Sequence, residues 1–251
     1  MKRLTRREKR QIEHGDLEVG TVLKDKIFKV KTITPMGDNQ TLAFESWERG
    51  KNLLLTGTAG TGKSFIGAYL GLNTVFKKPD VFDDLTIVRS AVPTRDQGFQ
   101  KGSAEEKARV YELPYNSIFH DMSDAPSAYD TLKKKGLVKF ITTSFIRGIT
   151  LSNTVILIDE IQNMNAGELH SIITRVGKNT RVILCGDIRQ NDLANNRQLS
   201  GFADFTKVLK AMGSFTCVEF NRNDIVRSRF VKEYIIAKEK LEDAGEIAIT
   251  C

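Results

Sequence analysis

Cysteine and histidine are scarce in this chain of 251 residues, with three of each. Cys185, Cys217 and Cys251 are odd in number and far apart, so no disulfide framework is indicated. His14, His120 and His170 are equally scattered and offer no metal-ligand spacing. No apolar run approaches the roughly 20 residues that cross a bilayer. The first ten residues also lack the apolar core of a secretory leader. These absences predict a cytoplasmic protein without membrane association. Its basic runs lack interleaved aromatics, which argues against a stacking platform for reading bases.

What is present begins with charge. Lys and Arg number 38 against 31 Asp and Glu, a formal net charge of +7 that fits a polyanionic partner. Much of the excess crowds the amino terminus, at Lys2, Arg3, Arg6, Arg7, Lys9 and Arg10. A basic arm over residues 1–26 would lie on phosphate backbones and bind in a salt-dependent way; a solubilising tail is the alternative. Lys133, Lys134 and Lys135 form a second run open to the same two readings.

The most informative segment is Gly57-Thr58-Ala59-Gly60-Thr61-Gly62-Lys63-Ser64, between the apolar run 52–56 and a helix-like stretch from Phe65 to Val75. In that context the glycines let backbone N–H groups curl around phosphates. Lys63 reaches the β and γ oxygens, and the Ser64 hydroxyl suits Mg²⁺. The expected ligand is a nucleoside triphosphate with Mg²⁺.

Val155-Ile156-Leu157-Ile158 followed by Asp159-Glu160 reads as a buried parallel strand that delivers two carboxylates to the carboxyl edge of a sheet. Asp159 is the expected metal ligand. Glu160 is positioned to activate water, which hydrolysis requires and transfer to a bound acceptor does not. A third apolar strand, Arg181 to Cys185, runs into Gly186-Asp187-Ile188-Arg189-Gln190. Gln190, or Asp187 through water, is the candidate γ-phosphate sensor, although Gly-Asp is also ordinary turn chemistry.

Upstream, a short strand is expected over residues 27–33. The turn Pro35-Met36-Gly37-Asp38 then delivers Asn39-Gln40 to a helix near residues 41–49. The Gln40 amide can donate and accept at once, as the adenine edge requires. After a strand at residues 85–88, a polar excursion extends to about residue 135, with a capping box at Ser103 and Glu106. Lys101 and Arg109 within it, and Arg147 beyond, are candidates for touching nucleic acid or a neighbouring subunit.

Taken together, the loop, Asp159-Glu160-Ile161-Gln162-Asn163-Met164, Arg89, Arg147-Gly148, Gly186-Asp187 with Gln190, and Asp224-Ile225-Val226-Arg227 resemble the PhoH family, and through it the RecA-like core of superfamily 1 helicases. The resemblance covers roughly residues 28–240. It implies an α/β, three-layer RecA-like P-loop NTPase with a mostly parallel central sheet, a single domain over residues 27–251 with an inserted excursion at about 89–136. Ser90, Gln100-Lys101 and Ser228 depart from the family pattern. The flanking segments are too short for a fused nuclease, and nuclease activity is not expected.

The resemblance also implies an ATP-dependent hydrolase acting on single-stranded nucleic acid, RNA favoured over DNA, as a homo-oligomeric ring, hexamer favoured. One RecA-like core lacks the arginine that a second core would supply. Arg227 is the expected finger, from its own C-terminal part or the next subunit, with Arg222 and Arg229 as alternates. A nucleotide-gated assembly or adaptor ATPase with slow turnover and a protein target is the rival reading. A nucleotide kinase is disfavoured by Glu160.

Overall fold

The computed structural model describes residues 30–90, 104–123, 125–146, 148–187 and 199–247, with backbone alone for 104–108 and 199–202. Six strands form one sheet: β1 (Asn52–Gly57), β2 (Asp84–Arg89), β3 (Val138–Thr142), β4 (Thr154–Asp159), β5 (Arg181–Cys185) and β6 (Phe215–Phe220). Their order across the sheet is β3-β2-β4-β5-β1-β6, and every pairing is parallel.

Parallel neighbours need crossovers, and crossovers cover both faces of the sheet. That is why β4 is buried along its whole length. Successive side chains divide between two cores. Leu53, Leu55, Val155, Leu157, Ile183 and Cys185 face one side, where α1 (Asp38–Glu48), α2 (Lys63–Lys77), α3 (Ala104–Ser123) and α4 (Ala128–Lys134) supply Trp47, Leu70, Phe119 and Leu132. Leu54, Ile156, Ile158, Val182 and Leu184 face the other, against α5 (Ala166–Ile173) and α6 (Leu199–Ala211) through Leu169, Ile172 and Leu209. The result is a three-layer α/β sandwich. A last helix, α7 (Arg229–Asp243), follows β6.

Three local expectations change. Residues 30–33 do not form a strand: Lys31 N–H donates to the Met122 carbonyl and Ile33 N–H to the Tyr69 hydroxyl, so this stretch is strapped across two helices. The helix expected near residues 41–49 starts at Asp38, which places Asn39 and Gln40 in its first turn. The connection after β2 is not simply polar. Its helices α3 and α4 bury Tyr115, Phe119, Met122, Tyr129 and Leu132 and form the crossover from β2 to β3. Lys133 in its basic run is paired with Glu112 at 2.7 Å and lies over the Tyr129 ring. The capping box at Ser103 lies outside the described residues, as does the basic arm.

Candidate nucleotide site

All six strands point their carboxyl ends to one edge, and the order of the sheet decides what meets there. Strand β5 lies between β1, which ends in the glycine-rich loop, and β4, which ends in Asp159. The tip of β5 at Gly186-Asp187 is therefore held between the phosphate loop and the two carboxylates. Edge strand β6 pairs with β1 in register from Asn52↔Phe215 to Gly57↔Phe220, so residues 221–227 emerge beside the loop.

The loop is tightly set. Gly57 has φ of 110°, and a Cβ there would lie 1.9 Å from the Phe220 carbonyl oxygen, so glycine is required on both conformational and steric grounds. Thr58 N–H donates to that carbonyl at 3.0 Å. Lys63 folds back over the loop and donates to the Gly57 and Thr58 carbonyls, each at 2.8 Å. Burial lowers its ammonium pKa, against the opposing charges of Asp187, Glu160 and Asp159.

Across the loop, the Ser64 hydroxyl donates to Asp159 Oδ1 at 2.8 Å. The other Asp159 oxygen accepts from the Tyr115 hydroxyl at 2.7 Å. A serine hydroxyl and a carboxylate are hard oxygen donors of the kind that suit Mg²⁺. Burial and the Asp159 charge push the Tyr115 phenol well above its ordinary pKa, so it stays a donor.

Glu160 sits at φ 55° and ψ 46°, a left-handed conformation uncommon for a residue with a side chain. Such outliers cost about 1–3 kcal/mol and persist only where the surroundings impose them. Here Gln162 imposes position: its amide nitrogen donates to Glu160 Oε2, while its Oε1 accepts from Asp187 N–H at 3.0 Å. Gly186 makes room for this bridge, since a Cβ there would lie 2.5 Å from Ile161 Cγ1 and 2.9 Å from Gln162 Oε1. Arg89, opposite Asp159 in the strand register, brings its guanidinium to 3.7 Å from Glu160 Oε1. Burial raises the Glu160 pKa, as does the Asp159 charge; Arg89, Gln162 and Lys63 oppose the rise.

A cavity of about 690 Å³ joins these groups and is lined among others by Gln40, Lys63, Ser64, Arg89, Glu160 and Arg227. Gln40 is held at both ends: its Oε1 accepts from Met36 N–H at 2.9 Å and its amide donates to the Thr61 carbonyl at 3.3 Å. Arg227 lies against its own chain's loop. Val226 N–H donates to the Gly60 carbonyl at 3.0 Å, and a Cβ on Gly60 would stand 2.9 Å from Arg227 Cγ. Arg227, expected either from the chain's own C-terminal part or from the next subunit, thus stands beside the loop of its own chain. Arg222 is paired with Glu239 and Asp243, which ties it to α7. Gln190, Lys101 and Arg147 lie outside the described residues. Arg109 is exposed on α3.

The roles of Arg89, Tyr115 and Gln162 are not legible in the sequence alone. Arg89 and Gln162 stand beside recognisable strings, but what they touch depends on strand register and on the tip of β5. For Tyr115 the available signal was spacing, since Tyr115, Phe119 and Met122 recur as one helix face.

A glycine-rich loop after the first strand, an acidic pair on a non-adjacent strand and a third strand between them define a RecA-like P-loop NTPase. The chain belongs to the PhoH-like protein family, whose profile matches residues 32–239. It is 30% identical over 190 residues to a PhoH-like protein of Synechocystis sp., covering 75% of this chain and 57% of that protein. It is 28% identical over 224 residues to a PhoH-like protein of Bacillus subtilis, covering 89% and 67%. The chain thus spans less than the full length of these relatives. Among solved structures it aligns with unliganded Pif1 from Bacteroides sp at 16% identity and a TM-score of 0.44, covering 85% of this chain and 46% of that one. No helix among the described residues is long and apolar enough to cross a membrane.

Proposed function

We propose that this chain is a Mg²⁺-dependent ATPase that couples hydrolysis to movement along, or remodelling of, single-stranded nucleic acid, with RNA favoured over DNA. The observation that carries the ATPase reading is the 2.8 Å contact between Ser64 and Asp159, with Glu160 on the next residue and facing the same cavity. The loop N–H groups and Lys63 bind the triphosphate; Lys63 must leave the Gly57 and Thr58 carbonyls to do so. Ser64 and Asp159 would hold Mg²⁺, which when bound would neutralise charge on the triphosphate. Glu160, restrained by Gln162 and Arg89, accepts a proton from the attacking water. Gln40 faces the adenine edge, Gln190 is the proposed γ-phosphate sensor, and Arg227 supplies positive charge from within the chain.

The nucleic-acid part of the proposal draws on the net charge of +7 and on family membership. Assembly as a ring of identical subunits, hexamer favoured, rests on the resemblance alone, because Arg227 needs no neighbour to reach the loop. Steady-state ATP hydrolysis, measured alone and with single-stranded RNA or DNA, tests the reading, with Glu160→Gln as the inactive control. Stimulation of about tenfold, or about 1.4 kcal/mol of barrier, is expected. Slow turnover indifferent to both polymers replaces it with a nucleotide-gated assembly ATPase.

A further inference from the structure

Helix α3 belongs to the connection between β2 and β3, yet it is bonded to the catalytic edge of the sheet at two points. Tyr115, fully buried, places its hydroxyl 2.7 Å from Asp159 Oδ2. One turn earlier, the Tyr111 carbonyl accepts from Arg89 at 3.4 Å, and the same guanidinium faces Glu160. Pro114, between these two anchors, lacks the N–H that would continue the helical ladder and lines the nucleotide cavity. The Tyr115 ring is fixed from behind by Tyr129 and Phe140, with centroids at 6.3 and 5.9 Å.

We infer that Tyr115 is a positioning residue for the metal-nucleotide site: its hydroxyl fixes the Asp159 carboxylate, so that metal binding beside the phosphates and the seating of α3 are linked. The inference rests on the Mg·ATP reading above. Asp159 has two oxygens, and the structure assigns one to Ser64 and the other to Tyr115. A carboxylate restrained at both oxygens presents its lone pairs in one orientation, and loss of one restraint frees its rotation about the terminal bond. Outer partners of this kind typically govern metal affinity by 10- to 100-fold, on the order seen when such hydrogen bonds are removed. The coupling also runs the other way. A shift of α3, such as a partner gripping the β2–β3 connection would impose, moves the hydroxyl that holds Asp159.

The test uses the full chain and Tyr115→Phe, which keeps the ring and removes only the donor. ADP binding is followed by calorimetry in EDTA and then in rising MgCl₂. The Mg²⁺ concentration at half-effect is expected to rise about tenfold in Tyr115→Phe while binding in EDTA stays at the wild-type level. Tyr129→Phe is the matched control. It strips a buried hydroxyl of the same aromatic cluster that has no hydrogen-bond partner among the described residues, and it should leave the Mg²⁺ dependence where the wild type has it.

A wild-type Mg²⁺ midpoint in Tyr115→Phe overturns the inference while leaving the ATPase reading intact. Failure of the wild type to bind ADP in either condition overturns both. Should Tyr115→Phe not fold, the wild type gives the answer by hydrogen exchange. Adding Mg²⁺ to ADP-loaded protein slows exchange around residues 111–119 if Asp159 and α3 are linked. Exchange that is indifferent to Mg²⁺ there overturns the link.

Discussion

The Ser64 hydroxyl and Asp159 Oδ1 meet at 2.8 Å although 95 residues separate them in sequence. The contact exists because the loop follows β1, the acid ends β4, and only β5 lies between those strands. It brings together the two hard oxygen donors that the proposed function gives to Mg²⁺.

Ser64→Ala removes a donor to Asp159 and, under the proposed function, a metal ligand together. ATP turnover is expected to fall about 10- to 100-fold, as for loss of a group that orients a ligating carboxylate. The Mg²⁺ requirement should rise in parallel. Turnover measured across a Mg²⁺ titration checks this, and an unchanged Mg²⁺ optimum with full activity would remove Ser64 from the site.

Gln162 bridges Glu160 to the Asp187 backbone, and its loss should separate catalysis from binding. Gln162→Leu removes a hydrogen bond to a charged group, worth about 1.5–3 kcal/mol, and kcat for ATP hydrolysis should drop by about 10- to 100-fold, tenfold per 1.4 kcal/mol. KM for ATP should hold, because no loop contact is touched. Gly186→Ala attacks the same bridge by crowding, with a Cβ 2.9 Å from Gln162 Oε1. It should also destabilise the fold by about 1–3 kcal/mol, read as a lowered Tm. A kcat at the wild-type level in both variants would show that Glu160 is held by other means.

Much of this site is legible in sequence, and the remainder is not for identifiable reasons. The loop and Asp159-Glu160 follow local rules, since fixed spacing and an unbroken apolar strand need no tertiary information. Strand β6 is not legible in the sequence, because its Thr216 and Glu219 interrupt the apolar pattern as an edge strand permits. That its end at Phe220 delivers Arg227 to its own loop follows from the β1–β6 pairing and not from local pattern. The connection after β2 read as polar because the charged residues of α3 outnumber the buried face formed by Tyr115, Phe119 and Met122.

Arg227 beside Gly60 predicts how mixtures of two variants behave if the chain assembles as proposed. Arg227→Ala should lower ATP turnover by about tenfold or more, below the full effect of an arginine that stabilises transferring phosphate. Lys63→Ala subunits, which keep Arg227 but lack the loop lysine, should not restore activity when mixed with Arg227→Ala subunits. Recovery in the mixture would show the arginine crossing between subunits, the other source expected from sequence.

Glu160 yields a pH-dependent prediction whose sign is fixed by its surroundings. Burial first, and then the Asp159 charge, raise its pKa above the ordinary value of 4.5. The folded protein therefore holds this proton more tightly than the unfolded chain does. Ionised Glu160 thus costs stability above its folded pKa, and the cost disappears as pH falls through that value towards 4.5. Glu160→Gln, neutral at every pH, should melt above the wild type at about pH 7, and the gap should close at about pH 4. Arg89, Gln162 and Lys63 offset part of the cost, so removing Arg89 as well, in Arg89→Ala, should widen the gap that Glu160→Gln recovers. Melting curves of the four proteins across pH decide the matter. A Glu160→Gln protein that melts with the wild type at both ends would mean that the carboxylate is not strained by its site. Glu160 would then have no raised pKa with which to set the acid limb of ATP turnover.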